Sequence, residues 1–485
     1  ARIPDEDIAA LAAIGSFGLK IPLIYGGLEL GNVYYNRALT LIDGLKLWGT
    51  NAVIAELLVV MARVPASEGH RGGITAFVVE ADTPGITVER RNAFSGLRGI
   101  ENALTRFHRV KVPSKSVIGR EGMGLKIALT TLNSGRLSIP ALAVSASKYA
   151  LKIAREWSGE RVQWGRPVGK HAAVAHKLAF MAAATYAQES MLELAAGLAD
   201  AGETDIRIEA AIAKLYGSER SWQVVDDLVQ IRGGRGYETA DSLRARGERA
   251  VPVEQMLRDM RINRIFEGST EIMHLMIARE AVDAHLSVAG DIIDPDVSRA
   301  DKFKAVAAAG KFYAGWYPQL LVGRGMVPTS YREYGRLAGH MRYLERTSRR
   351  LARDTFYGMA RWQGGLEHKQ GFLGRIVDIG AELFAMAAMC TRAHAQRATD
   401  RRAWRSSVSL ADAACKQSRL RVERLFDALW TNTDSSDVRL AREVLEGKYL
   451  WAEEGIVDPS EGTGPWVAPY EPGATTERDL HRKVD

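Results

Sequence analysis

The segment best equipped for chemistry is Arg261–Ala278, RINRIFEGSTEIMHLMIA. Glu267 follows the apolar pair Ile265-Phe266, and Gly268-Ser269-Thr270 then opens an amphipathic helix. A carboxylate at such a junction can project into an apolar cleft. Desolvation there disfavours the charged form and lifts the pKa towards the working pH, which suits a general base. The competing reading has Glu267 help to cap the helix, with Ser269 or Thr270 as N-cap.

Three further segments offer ligand chemistry. Lys46-Leu47-Trp48-Gly49-Thr50-Asn51 sets a flat apolar ring beside two hydrogen-bonding side chains, a trio that could hold a planar heteroaromatic ring or could be a packed tryptophan before a turn. Arg161-Val162-Gln163-Trp164-Gly165-Arg166-Pro167 links two long helical stretches and presents two guanidinium groups beside an aromatic. Arginine forks match phosphate oxygens, although a solvated helix connection has the same composition. Gln230-Ile231-Arg232-Gly233-Gly234-Arg235-Gly236-Tyr237 lets a backbone approach a ligand, or simply ends a helix. It follows a helix rather than a strand, so it is not a dinucleotide fingerprint. Gly119–Lys126 (GREGMGLK) lacks P-loop spacing and reads as a strand-to-helix turn. There is no HExxH and no GxSxG, the ten histidines show no metal-ligand spacing, and His274 reads as a packed side chain.

These segments need elements to position them. Residues 5–16 have helical spacing, Tyr25-Gly26-Gly27 breaks it, and a second helix is expected over Val33–Ile42. Leu57–Ala62, Ile74–Glu80, Ile86–Arg90 and Leu104–Val112 read as strands, punctuated by Gly and Pro. From Gly124 the chain turns helical. Leu125–Asn133, Ala141–Arg155, Ala173–Ala199, Ile206–Gln230 and Thr270–Leu286 have lengths that suit an antiparallel bundle. Asp291–Pro295 reads as a linker, and residues 300–450 are again helical. The stretch from Asp458, rich in Pro, Gly and Thr, is expected to wrap a surface or to move. The fold class is thus mainly α with a small central antiparallel β domain. The expected domains are 1–42 (helical), 43–122 (sheet), 123–290 (helical bundle) and 291–485 (helical extension).

Composition sets the outer limits. The chain has 485 residues, 46% of them hydrophobic and 25% charged, which excludes disordered, collagen-like and disulfide-scaffold classes. Its two cysteines, Cys390 and Cys415, form no CxxC, and a reduced, cytoplasmic compartment is expected. No apolar run approaches the ~20 residues of a membrane-spanning helix. The opening ARIPDEDIAAL carries acids early and is read as no signal peptide. A net charge of +7 suits an anionic ligand, a nucleic acid or a membrane surface without choosing among them.

Taken in order, KLWGTN, GITAFVVEADTPGI, FSGLRG, ERVQWGRPVGKH, QIRGGRGYE and LRDMRINRIFEGSTEI resemble the acyl-CoA dehydrogenase family of flavoenzymes. The resemblance runs from about Ile3 to Leu286, and the helical extension resembles the very-long-chain subgroup. It implies an α domain, a β domain and a four-helix bundle, with an α-helical domain added at the end. It implies FAD as cofactor and a fatty acyl-CoA as substrate. Glu267 would remove the α-proton, and the β-hydride would pass to flavin N5, giving a trans-2-enoyl-CoA in fatty acid β-oxidation. The thioester oxygen would be held by the Glu267 N–H and a flavin ribityl hydroxyl. Trp48 and Thr50 would cover and hydrogen-bond the flavin ring. Arg161, Gln163, Trp164 and His171, with Gln230 and Gly234, would reach the FAD of a neighbouring subunit. Ser269 and Glu271 would contact FAD on the catalytic side, where many members carry Gln in place of Glu271. Asn133, Arg136, Phe266 and Gly268 are expected at the substrate. A homodimer or dimer of dimers and an electron-transferring flavoprotein follow as partners. One departure stands out: Ile42 runs straight into Asp43-Gly44, where the family has much of its first helical domain, the first strands of its sheet and a Thr-Glu-Pro-x-x-Gly-Ser-Asp-type loop. The expectation here is of residues left out rather than deleted, since two helices alone would leave much apolar surface bare.

Two other classes share the fold. Arg342, Arg346, Arg349 and Arg353 fall at i, i+4, i+7 and i+11, one face of a helix that could meet nucleic-acid phosphates, or could be an ion-paired solvated face. Nineteen Lys/Arg against nine Asp/Glu between 331 and 424 could meet anionic lipid and make the protein membrane-associated. Retention of Glu267 argues against a purely nucleic-acid-binding protein. An acyl-CoA oxidase is the nearest enzymatic alternative.

Overall fold

The computed structural model describes residues 40–66, 71–202, 205–293, 297–457 and 465–467. The helix expected at 5–16, the break at Tyr25–Gly27 and residues 33–39 of the second expected helix lie outside them, as does nearly all of the stretch from Asp458. Residues 40–42 of that second helix are strand instead. Ile42 pairs with Val110 and is buried against the sheet core, so tertiary pairing overrides local helical spacing.

The chain divides into two compact units, Ala1–Ser134 with Ile456–Asp485, and Gly135–Gly455. The first contains two three-stranded antiparallel sheets. β1 (Thr40–Thr50), β5 (Asn102–Val112) and β4 (Ile86–Arg91) form one in that order, and β2 (Leu57–Val64), β3 (Gly73–Glu80) and β6 (Val117–Ile118) the other. Their inner faces meet in a core of Ile42, Phe77, Val79, Phe107, Val110 and Val112. Strand alternation works as the sequence implies: Leu58, Val60, Ala62 and Val64 pack on this core while Leu57, Val59 and Met61 are exposed. β1 passes through Ile42, Asp43 and Gly44 without interruption, with a register shift against β5 between Ile42 and Gly44. The junction thus lies inside one paired strand.

The second unit is helical. α1 (Gly124–Glu160) runs into it, followed by the hairpin β7 (Val162–Gln163) and β8 (Arg166–Pro167), α2 (Ala172–Ala201) and α3 (Arg207–Arg232). Short helices α4 (Gly234–Tyr237), α5 (Ala240–Ala245) and α6 (Val253–Arg261) lead to α7 (Thr270–Ile293). Then come α8 (Arg299–Gln319), α9 (Ala338–Trp362), α10 (Gln370–Thr399), α11 (Arg401–Trp430) and α12 (Asp434–Leu445). Two expected helices, Leu125–Asn133 and Ala141–Arg155, are one, with Pro140 inside it. A proline there removes one hydrogen bond, and the helix continues because its flanks, Ile139, Ala143 and Val144, are buried. α7 runs to Ile293, so Asp291 is helical rather than linker.

No seam in the core marks the boundary expected at 290/291. One cluster joins Tyr186 and Met191 of α2, Leu215 and Tyr216 of α3 and Met273 and Ile277 of α7 to Phe372, Ile379 and Met386 of α10 and Cys415 and Phe426 of α11. Polar contacts cross the same joint. The Glu382 carboxylate, only 2% exposed, accepts from Arg220 of α3 and Arg421 of α11, and His274 Nε2 lies 2.9 Å from Asp378 Oδ1. Burial opposes ionisation of Glu382, yet the two guanidinium charges hold its carboxyl below the usual range. Cys390 and Cys415 are free and buried, with their Sγ atoms 3.8 Å apart.

The arginine row on α9 is not a phosphate-binding stripe. Arg342 donates to the Ser330 carbonyl at 2.9 Å, Arg346 to that of Gly325 at 2.6 Å and Arg353 to that of Leu320 at 2.8 Å, while Arg349 pairs with Glu345 at 2.7 Å. Three of the four thus fasten the 320–330 connection to α9. Among the described residues no helix is long and apolar enough to cross a membrane.

Candidate active site

Glu267 sits in the turn between the 3-10 segment Ile262–Arg264 and α7. Its φ is +51° and that of Gly268 +98°, so two consecutive residues occupy the left-handed half of backbone space. Glycine accepts this without cost; a glutamate there is held by its surroundings. A Cβ at Gly268 would stand 2.6 Å from the Met273 sulfur, so the turn also lies close on α7.

One helix holds the turn. From α3, Lys214 donates to the Gly268 carbonyl at 2.6 Å, and Glu219 accepts from Arg264 Nε at 2.7 Å and from the Thr270 hydroxyl. Trp222, further along α3, lies under the guanidinium groups of Arg261 and Arg264, 5.7 and 6.0 Å from its ring centre. Lys214 is fully buried, and that burial pushes its pKa down to about 8, against the opposing pull of Glu267 and Glu219. Arg136, on α1 and 6% exposed, has its pKa lowered by burial and is steadied by the charges of Glu267 and Glu280; its Nη2 lies 3.3 Å from Met276 Sδ. Glu267 therefore stands among two buried cations. Its Oε2 is buried without a hydrogen-bond partner among the described residues. A buried carboxylate oxygen left unpaired is costly, and such costs collect at functional sites. This oxygen can accept a proton.

The cap reading of the same segment holds for its other members. Ser269 Oγ is 3.5 Å from the Ile272 N–H, and the Glu271 carboxyl is held below the usual range by its own backbone N–H and then by the Ser269 hydroxyl. Ser269 and Glu271 thus close the start of α7, leaving Glu267 out of the cap. Phe266 is half-buried, its N–H bonded to the Ile262 carbonyl at 3.0 Å.

The residues expected at a flavin are open. Trp164 (φ +48°), in the hairpin turn, is 86% exposed, and Trp48 (φ +60°), at the register shift of β1 between Lys46 and Gly49, is 66% exposed; both large apolar rings are left uncovered. The Thr50 hydroxyl accepts from Asn102 Nδ2 at 3.1 Å, which leaves its own proton to donate. Gln230 and Gly234 are exposed, and nothing would lie within 4 Å of a Cβ at Gly234. Gly233 (φ +61°) ends α3 and bonds back to the carbonyls of Val229 and Gln230, as the helix-ending reading of that segment has it. Arg161 is exposed and Gln163 half-buried. His171 is committed to its own hairpin: Arg166 Nε donates to its Nδ1 at 3.2 Å, its Nε2–H faces the Gln163 carbonyl at 3.1 Å, and its ring meets Trp164 edge-on at 5.6 Å. Asn133 lies in α1, its side chain outside the described set. Uncovered aromatic faces with hydroxyl, amide and guanidinium donors match the needs of a flavin and its diphosphate. Ser269, Glu271 and His171 fit less directly, since the structure already engages them.

Two family models match the chain: the middle domain of acyl-CoA dehydrogenase over residues 32–110 and its C-terminal domain over 122–282. A probable acyl-CoA dehydrogenase, FadE10 of Mycobacterium tuberculosis, is 57% identical over 559 positions, covering 100% of this chain and 86% of the relative. The chain belongs to the acyl-CoA dehydrogenase family. The very long-chain specific acyl-CoA dehydrogenase of Homo sapiens is 30% identical over 398 positions, 80% of this chain and 58% of that one. A crystal structure of an acyl-CoA dehydrogenase complexed with FAD, from Bacillus anthracis, has a TM-score of 0.62 at 24% identity; it covers 83% of this chain and 66% of that one, and bears out the fold. The FadE10 match spans more positions than this acyl-CoA dehydrogenase homologue has residues, so part of that relative has no counterpart here.

Lys214 and Glu219 escape the reading of this acyl-CoA dehydrogenase sequence. The available signal is Ala210–Tyr216, AAIAKLY, where every neighbour of the lysine is apolar and the helix offers no wet face.

Proposed function

We propose that this chain catalyses the FAD-dependent α,β-dehydrogenation of a fatty acyl-CoA to the trans-2-enoyl-CoA, with Glu267 as the base. The observation that carries this is the buried, unpartnered Oε2 of Glu267, on a strained turn that α3 holds in place. A C–H beside a thioester is weakly acidic, so removing its proton needs a positioned carboxylate and stabilisation of the oxygen on which charge develops. Glu267 takes the α-proton on its carboxylate, and its own N–H is the donor assigned to the thioester oxygen. Lys214 and Arg136 supply buried positive charge to the same site. FAD, when bound, supplies the two-electron acceptor for the β-hydride.

The cofactor assignment follows the open donors and rings: Trp48 and Thr50 for the flavin, Arg161, Gln163 and Trp164 with Gln230 and Gly234 for a neighbouring subunit's FAD, and Ser269, Glu271 and His171 as less direct contacts. Asn133, Arg136, Phe266 and Gly268 are assigned to the substrate side, Arg136 through its charge facing Glu267. A homodimer or dimer of dimers, a long acyl chain, a place in fatty acid β-oxidation and an electron-transferring flavoprotein as acceptor complete the reading. The test is an absorption spectrum of the purified, FAD-loaded protein before and after anaerobic addition of a long-chain acyl-CoA. Loss of flavin absorbance is expected; an unchanged spectrum contradicts the reading. Rapid recovery in air without an added acceptor would make the protein an oxidase instead.

A further inference from the structure

The fully buried Lys214 sits in an otherwise apolar stretch of α3, and its ammonium donates to the carbonyl of Gly268, the residue after Glu267. Burying an ammonium is expensive, and a helix in a packed core gains nothing from a lysine that an aliphatic residue would not give. The charge faces Glu267 on the turn, Glu219 on its own helix and Arg136 on α1. Glu219 is shared with Arg264 and Thr270, so it is compensated on the turn itself. The contact left to Lys214 is the Gly268 carbonyl, which orients the peptide next to Glu267 while the two residues hold positive φ.

We propose that Lys214 is a positioning residue for Glu267, tying the base-bearing turn to α3 through the Gly268 carbonyl and keeping a positive charge beside the carboxylate. This rests on the reading of Glu267 as the base. Two separate duties follow, one of geometry and one of charge, and they can be pulled apart. Lys214→Met removes both. Lys214→Gln keeps an N–H donor and removes the charge.

The measurement is kcat and KM against pH for the FAD-loaded wild type and both variants, with FAD content and circular dichroism confirming the fold. In Lys214→Met, kcat falls about tenfold with KM little changed, because the base is misplaced rather than the substrate lost. Lys214→Gln, which keeps a donor for the Gly268 carbonyl, recovers much of kcat. Full kcat in a folded, FAD-loaded Lys214→Met overturns the proposal, as does an equal loss of kcat in Lys214→Gln and Lys214→Met. Should neither variant fold, the lysine is titrated directly by NMR of 13C-labelled lysine in the wild type and in Glu267→Gln. Coupling between two charges is reciprocal, so loss of the Glu267 charge must lower the Lys214 midpoint, and an unmoved midpoint overturns the proposal. Full activity in Glu267→Gln would remove the underlying reading. An inactive Glu267→Gln beside fully active Lys214 variants would remove this one alone.

Discussion

The Glu267 turn and the 161–171 hairpin, both within the helical unit, solve opposite problems. Residues 264–270 are clamped by Lys214, Glu219 and Trp222 of a single helix, and the chain accepts positive φ at Glu267 and Gly268 and buried charge at Lys214 and Arg136 to keep them so. The hairpin binds mainly itself. Arg161 and Val168 exchange a backbone bond, His171 closes on Gln163 and Arg166, and Trp164 stands almost wholly in solvent. A group that must present one oxygen to one proton needs a rigid mount. A surface that receives a large ligand, or another chain, needs only to hold its contacts open. Cost spent locally with no packing return marks the first kind of site, and exposed aromatic area the second.

The contrast can be broken at three points, in falling order of effect. Glu382 lies in the joint between α3, α10 and α11, on which the clamp's backing depends. Glu382→Gln leaves Arg220 and Arg421 without their counter-charge and should cost about 3–5 kcal/mol of stability, read by urea unfolding. The same residue predicts a pH dependence. Its folded pKa is depressed, so its contribution is present above its ordinary value of 4.5 and is lost as pH falls through the lower folded value. Wild-type stability should therefore drop on acidification below about 4.5, and Glu382→Gln should show a shallower drop. Gly268→Ala comes next. Its φ of +98° and the nearby Met273 sulfur predict a loss of roughly 1–3 kcal/mol, with activity falling further than stability because the base moves with the turn. Trp164→Ala is the smallest for the fold, within about 0.5 kcal/mol in thermal unfolding, since the ring packs on little. Its effect should fall on FAD retention, measured by equilibrium dialysis, as a several-fold weaker Kd. A large loss of stability with unchanged FAD affinity would reverse the contrast.

How far these two regions were legible in the sequence depends on whether the deciding contact is local. The Glu267-Gly268-Ser269-Thr270 junction was readable because its parts are adjacent: a carboxylate, a glycine for the bend and a hydroxyl for the helix start. The strands were readable from β-branched apolar runs over 57–62 and 74–80 and from alternation over 86–90 and 104–112, and the two sheets bear that out. The arginine row on α9 was readable as a row, yet three of its four members reach carbonyls of the 320–330 connection, to which spacing within a helix is blind. The strand at 40–42 was misread for the same reason, since Val110 lies far along the chain. The helix over 124–160 was read as two, and the burial around Pro140 shows why it continues as one. Lys214 was missed because a lysine between apolar residues is ordinarily read as reaching for water; here there is none to reach.

The central claim is that the Glu267 carboxylate removes the α-proton. Stopped-flow absorbance of FAD-loaded Glu267→Gln, mixed anaerobically with a long-chain acyl-CoA, tests it most directly. The account predicts flavin and substrate still bound, with bleaching slowed by about 10²–10⁴-fold or more. Bleaching at the wild-type rate would contradict it.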